Sequence, residues 1–454
     1  MKAIGLDIGT TTICGSVIDG LSGAVIESVT IPNDSSLKGS EAWEKIQDPA
    51  VILTNAKEVI SRLLLQHKPI KGIGITGQMH GILYLNANGN AISPLYTWQD
   101  GRGELPAQDG RSYVEGLSLK TGYKLATGFG AVTHYYNMQH AAVPSGAKCF
   151  CTIHDYVAMK LAGCFAPVTH ISDAASFGLF DLERGCFDSA ALENAELKAE
   201  MFPAVTKGFD LLGKTEDNVP VFVAIGDNQA SFIGSVRDMK NSILVNVGTG
   251  SQISLYAQKF TTDSSMETRP CIDNSYLMTG SPLCGGRAYA ILEKFFTSVA
   301  ELSGIKSDLM YPLMDRLSEG YASLPNKLQI STKFSGTREN PSLRGSIINL
   351  GEDNFTPQHF VCGILEGTVN ELYEKYHTLG DSAENKPSLL IGSGNGIRKS
   401  TVLQQMFSQK FGMTVKIPKH KEEAAYGAAL FVLVGAGVYQ NIEEAQKIIK
   451  YQGE

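Results

Sequence analysis

Residues 2–18 read KAIGLDIGTTTICGSVI, and residues 242–257 read SILVNVGTGSQISLYA. Each joins two apolar runs through a Gly-Thr turn, with a polar residue just before it. That is the pattern of strand, tight turn and strand with N–H groups exposed at the turn. Its recurrence predicts two similar α/β halves, 1–240 and 241–454, with the junction in VRDMKN. In the first half AVIESVTI follows the turn Asp19-Gly20 as a third strand, giving a β-meander. The stretch 51–66 (VILTNAKEVISRLLLQ) then sets Val51, Ala56, Val59, Ile60, Leu63 and Leu64 at helical spacing, and KGIGITG returns as a buried strand. A helix that delivers its chain into such a strand implies an α/β layer. Helices are predicted over 133–142 and in DYVAMKLAG, where Asp155 can cap the first turn, whereas 160–215 reads as loops and short helices. In the second half AYAILEKFFTSVAEL, CGILEGTVNELYEKYHTL and RKSTVLQQMFSQKFG read as amphipathic helices, and SLLIGSGNG as a strand entering a Gly-rich turn. EEAAYGAALFVLVGAGV is apolar almost all round and should be a buried helix.

The 454 residues, 43% hydrophobic and 19% charged, suffice for two large cores. With 39 Lys and Arg against 46 Asp and Glu, and no basic run longer than two residues, a nucleic-acid partner is not expected. Neither a basic leader nor a stretch of roughly 18 uncharged apolar residues occurs, so a soluble cytoplasmic protein with no membrane partner is expected. The eight cysteines are scattered without a CxxC pair and are predicted to be reduced core residues.

Chemistry concentrates in the turns. Asp7 ends the first strand, Gly9 lets backbone approach closely, and Thr10, Thr11 and Thr12 set hydroxyls beside N–H groups. Such a turn can accept phosphate oxygens while Asp7 holds the accompanying Mg²⁺; read blandly, it is a hairpin of strand-favouring threonines. Gly248-Thr249-Gly250-Ser251 repeats the device, and Gly392, Gly394 and Asn395 form a third turn where adenosine can lie on bare backbone. Neither a P-loop nor a dinucleotide fingerprint is met. Asp227, in AIGDNQAS, leaves an apolar run at the start of a small-residue stretch. It suits a general base for an attacking hydroxyl, or else a helix cap. Gln78, Met79 and His80 end a buried strand and suit a polyol, with donors and acceptors beside an apolar surface. Trp98, Asp100 and Arg102, in TWQDGR, add an aromatic face and an ion pair for sugar hydroxyls; the alternative is a partly exposed ion pair that braces a loop.

In this order DIGTTT, GQMHG, the WxDGR element, GD, NVGTGS, GSGNG and EEAAYGAAL resemble the FGGY carbohydrate kinases, a branch of the actin, Hsp70 and hexokinase superfamily. The resemblance covers nearly the whole chain. TWQDGR, ATGFG, TIHDYV and GDNQAS look most like the members that phosphorylate sedoheptulose, while GQMHG is shared with those that act on xylulose. The resemblance implies two ribonuclease-H-like α/β domains with a nucleotide and sugar cleft between them, and ATP and Mg²⁺ as cofactors. It implies Asp227 as catalytic base, with metal or phosphate contacts at Asp7, Thr10 and Thr11. Sugar contacts carry over to Met79, His80, Asp227 and Asn228. The nucleotide set then comprises Thr10, Thr11, Thr12, Gly248, Thr249, Gly250, Gly286, Gly392, Gly394 and Asn395. One departure is Ser393, where the family's adenosine turn has glycine. The expected activity is phosphorylation of a ketose's terminal hydroxyl, sedoheptulose first and a pentulose such as xylulose second. An ATP-driven switch of the actin or Hsp70 kind is the reading from a different class, and a homodimer is left open.

Overall fold

The computed structural model describes residues 1–248, 250–261, 266–304, 310–337, 340, 342–378 and 387–454. They divide into two compact units: Met1–Arg237 with Arg269–Tyr276 and Glu422–Lys450, and Asp238–Thr268 with Leu277–Lys421 and Tyr451–Glu454. The first break falls between Arg237 and Asp238, and the first unit is made of three stretches of the chain. The reason is the apolar stretch near the C-terminus, which forms the buried helix Glu423–Gly435 and packs on the first unit's sheet. Its backbone comes so near that a Cβ on Gly5 would fall 1.7 Å from the carbonyl oxygen of Ala425, and one on Gly74 would fall 2.2 Å from that of Ala428. Gly427 packs as tightly on the helix Asp227–Ser235, where a Cβ would lie 1.8 Å from the Ala230 carbonyl oxygen. Only glycine fits at Gly5, Gly74 and Gly427, and the facing residues Ala425, Ala428 and Ala230 are small, which is why this helix is small-residue-rich as well as apolar.

The first unit's sheet runs in the order Leu211–Lys214, Pro220–Phe222, Ile73–Gly77, Lys2–Ile8, Thr12–Asp19, Val25–Pro32. The meander is present as expected, and Ile73–Gly77 adds in parallel to Lys2–Ile8, with Asp7 opposite Thr76 and Ile8 opposite Gly77. The two-residue strand Ile225–Gly226 also pairs with Ile73–Gly77, placing Gly226 opposite Gly77. Three segments therefore leave the sheet side by side, at Ile8, Gly77 and Gly226. Helix Pro49–His67, started by the Asp48 side chain, buries Ile52, Ala56, Val59, Ile60, Leu63 and Leu64 against this sheet.

The second large sheet runs Glu267–Pro270, Tyr276–Gly280, Ser251–Ala257, Ser242–Val247, Leu389–Ser393, Thr414–Lys416. Ser242–Val247 is antiparallel to Ser251–Ala257 and parallel to Leu389–Ser393, the arrangement of Lys2–Ile8 with its two neighbours. The helices Arg287–Leu302, Pro357–Thr378 and Thr401–Phe411 contribute Leu292, Val361, Val369 and Phe407 to its core. Among the described residues no helix is long and apolar enough to cross a membrane, and all eight cysteines are free thiols.

Two local expectations change. Thr152, not Asp155, caps the helix Ile153–Leu161, accepting from the Asp155 N–H. The stretch 160–215 contributes strand Leu211–Lys214 to the sheet, and its buried helix Ile171–Ala174 packs behind the site.

Candidate functional site

In the first unit the aligned strand ends gather the expected turns. The hairpin after Ile8 is closed by Gly9 N–H donating to the Thr12 carbonyl, and Asn33 braces it through the Gly9 carbonyl at 2.8 Å. Thr10 donates its hydroxyl to Gln78 Oε1 at 3.1 Å, Gln78 Nε2 donates to Gln47 Oε1 at 2.8 Å, and Gln47 Nε2 donates back to the Thr10 carbonyl at 2.9 Å. Gln78 is buried, and both ends of its amide are engaged by protein. The amide thus ties the Thr10 turn to the turn that follows Gly77. Trp98 is 46% exposed and donates its indole N–H to Thr10 Oγ1 at 3.1 Å, which leaves the ring face open beside that turn.

Asp100 and Arg102 also depart from expectation. They are 0% and 4% exposed and bonded to each other, Arg102 Nε to Asp100 Oδ1 at 2.6 Å. Asp100 Oδ2 accepts from the Lys45 N–H, Arg102 bonds Asn137, and the guanidinium lies 4.1 Å from the ring centroid of Tyr96. Every side of the pair is taken up by protein. The pair is buried instead of partly exposed, and the bonds it makes are to protein.

Met79 is buried and His80 partly so. Gly226, just before Asp227, packs on Met79: a Cβ there would lie 2.9 Å from the Met79 sulfur. His80 stands at φ 72°, a left-handed conformation costly for a non-glycine residue. It is held there by stacking on Phe129 at 4.7 Å, by its N–H to Ser176 Oγ at 3.2 Å and by Nδ1 at 2.9 Å from the Ser176 carbonyl. The carbonyl can only accept, so Nδ1 carries a proton.

Asp227 is the first residue of the helix Asp227–Ser235, and Gly226 takes the cap position. Its neighbour Asn228 donates to it at 3.4 Å and accepts from Arg269 at 2.7 Å. Burial raises the Asp227 carboxyl above the ordinary range, and the cations of His154 and Arg269 oppose that rise. Asp7 is pushed up to about 7 by burial, then by the carboxylates of Asp227 and Glu422. Asp7 is a carboxylate oxygen donor of the kind Mg²⁺ takes, while the described groups whose ligand atoms lie within reach of one common ion are His154, Asp155 and Asp173 and do not include Asp7.

Behind the site lies a cluster that the sequence reading missed. His154 Nε2 lies 2.8 Å from Asp173 Oδ2, both fully buried, with Asp155 beside them. Burial alone would lower His154, but Asp173, then Asp155 and Asp227, raise it to about 9, so it is a cation at neutral pH. A histidine and an aspartate 19 residues apart in a weakly periodic stretch carry no local signal of pairing.

In the second unit, Gly248 N–H donates to the Gly250 carbonyl at 2.9 Å at the tip of the second hairpin. Thr249, expected to contact phosphate, lies outside the described residues. Gly394 sits at φ 81°, where a Cβ would be 2.7 Å from the Val247 carbonyl oxygen, and Asn395 begins the helix Asn395–Lys399. Ser393 is buried and accepts from Asn246 Nδ2 at 3.0 Å. The Ser393 hydroxyl is thus spent on joining the ends of two paired strands. At Gly285 a Cβ would lie 2.6 Å from the Ser251 nitrogen, and the next residue, Gly286, caps the helix Arg287–Leu302. Gly285 and Gly394 therefore lie close to the two strands joined by the second hairpin, at Ser251 and Val247.

Comparison with known proteins gives the family and the fold. The model of the FGGY family of carbohydrate kinases, N-terminal domain, matches residues 2–243, and that of the C-terminal domain matches 244–436. The chain is 25% identical to sedoheptulokinase of Mus musculus over 475 residues, 95% of this chain and 97% of that protein. The crystal structure of xylulose kinase from Rhodospirillum rubrum superposes with a TM-score of 0.85 at 21% identity, covering 100% of this chain and 93% of that one. That of Plasmodium falciparum glycerol kinase with ADP gives 0.81 at 19% identity, covering 98% and 91%. The two family models together account for nearly all of the sequence, and the chain belongs to the FGGY family of carbohydrate kinases.

Proposed function

We propose that this carbohydrate kinase transfers the γ-phosphoryl group of ATP to the terminal hydroxyl of a ketose, with sedoheptulose giving sedoheptulose 7-phosphate as the first substrate to test. The observation that carries the reading is the placement of Asp227. A carboxylate at a helix start, with the cap position filled by Gly226, stands beside the Met79 and His80 turn. In this reading Asp227 accepts the proton of the attacking hydroxyl, while Asn228, held by Arg269, keeps the carboxylate oriented. Met79 offers an apolar surface to the sugar's C–H groups and His80 a fixed imidazole to its hydroxyls. The turns at Thr10–Thr12 and at Gly248, Thr249 and Gly250 receive phosphate oxygens on backbone N–H groups, and those at Gly286 and at Gly392, Gly394 and Asn395 receive the nucleoside. Mg²⁺ held through Asp7 would offset phosphate charge. The exposed ring of Trp98 shields the Thr10 side from water.

Sedoheptulose is favoured by the 25% identity to the mouse enzyme over nearly all of both chains and by the TWQDGR, ATGFG and TIHDYV segments. A pentulose such as D-xylulose is the neighbouring reading, supported by GQMHG. Family membership weighs against a pure ATP-driven switch. Turnover of sedoheptulose, D-xylulose, D-ribulose, L-ribulose and glycerol, each at saturating ATP, separates these readings. The highest kcat/KM is expected for sedoheptulose, and a clear preference for another sugar would replace it.

A further inference from the structure

The segment His170–Ser176 bonds to both turns that the proposed reaction uses. Ser172 Oγ accepts from the Gly226 N–H at 3.2 Å and lies 2.7 Å from His170 Nδ1, while the Ser172 carbonyl accepts from Gln229 Nε2 at 2.9 Å. Those contacts hold the residues on either side of Asp227. Four residues on, Ser176 holds the amide and the imidazole of His80. Between them Asp173 accepts from the Ser176 hydroxyl at 3.2 Å through one oxygen and meets His154 Nε2 at 2.8 Å through the other. All five residues of this chain of contacts, His154, His170, Ser172, Asp173 and Ser176, are at most 5% exposed.

We propose that the buried Asp173–His154 pair is a positioning device, which locks the 170–176 segment so that Asp227 and His80 stand in fixed register. Neither residue touches the sugar. The pair acts through Ser172 on the turn of the base and through Ser176 on the histidine, and this role rests on the functional reading above. A misplacement of either turn slows transfer far more than it weakens nucleotide binding, because transfer depends steeply on alignment. The charges themselves are replaceable together but not singly. Removing one partner leaves an uncompensated buried charge, whereas removing both leaves a neutral hydrogen-bonded pair.

The test uses the full-length enzyme with His154→Gln, Asp173→Asn, the double variant and Ser176→Ala. Each single charge variant is expected to lower kcat for the sugar by about tenfold or more with KM for MgATP within about twofold. The double variant should recover to within about threefold of the parent. Ser176→Ala, which keeps both charges and removes only the hydroxyl between Asp173 and His80, should lower sugar kcat/KM several-fold and is informative even if a charge variant does not fold. A double variant no better than the worse single one, or a Ser176→Ala enzyme with parental sugar kinetics, would overturn the proposal. If the parent enzyme turns over none of the sugars, the functional reading fails on its own. The positioning role is then read from the imidazole ¹⁵N resonances of His80, which should move in Ser176→Ala; unmoved resonances would overturn it.

Discussion

Gly226 rests against Met79, with only 2.9 Å between the sulfur and the place a Cβ would occupy. The contact joins the turn that would receive the sugar to the residue preceding the proposed base. Gln229 Oε1 lies still closer to the same place, at 2.6 Å. The obstructing atoms are the ends of flexible side chains, so a methyl group there displaces them without preventing folding. Gly226→Ala is therefore expected to raise the sugar KM and lower kcat, reducing kcat/KM by about tenfold, with KM for ATP nearly unchanged. Parental sugar kinetics in that variant would separate the Met79 turn from the reacting end.

Asp100 and Arg102 carry a second prediction. Removing the carboxylate strands a buried guanidinium among Trp43, Tyr96 and Tyr136. The expected cost of Asp100→Ala is about 3–5 kcal/mol of stability, read as a large fall in melting temperature. Because the pair faces inward, the ratio of kcat/KM for sedoheptulose to that for D-xylulose should stay as in the parent. A changed ratio in the folded fraction would return these residues to the sugar.

Gly394 combines positive φ with the close Val247 carbonyl oxygen. Substitution by alanine must both strain the backbone and push the turn from the strand end, at about 1–3 kcal/mol. We expect Gly394→Ala to raise KM for ATP while sugar KM changes little, measured by initial rates with each substrate varied in turn. An effect confined to sugar KM would contradict the nucleoside role of that turn.

The pH dependence of stability follows from His154. Its folded pKa of about 9 lies above the ordinary 6.5, so the folded state holds that proton more tightly. The stabilisation is complete below pH 6.5 and is lost as pH rises through about 9. Melting temperature should fall between about pH 7 and about pH 9.5, and His154→Gln should flatten that part of the curve. An identical slope in the variant would mean that His154 is not charged in the fold.

Much of this was legible because the deciding signals are local. Gly9 and Gly248 mark hairpin turns between apolar runs, and the amphipathic spacing of 51–66 reports its own buried face. The small, apolar helix 423–435 was legible as buried but not as a part of the first unit, since a helix's sequence does not say which sheet covers it. The inward burial of Asp100 and Arg102 was not legible for a related reason. An Asp and an Arg two residues apart look the same whether the pair faces a ligand or three aromatic rings. His154 and Asp173 were invisible as a pair because only the packing of the 170–176 segment brings them together.

The central claim is that Asp227 is the base for phosphoryl transfer to a ketose. It is tested most directly by ADP formation measured with and without sedoheptulose, in the parent enzyme and in Asp227→Asn, which keeps the shape and the hydrogen bonding at the helix start. Sugar-dependent ADP release is expected in the parent, reduced by about 10²-fold or more in the variant, with ATP binding retained. Sugar-dependent release undiminished in Asp227→Asn would contradict it.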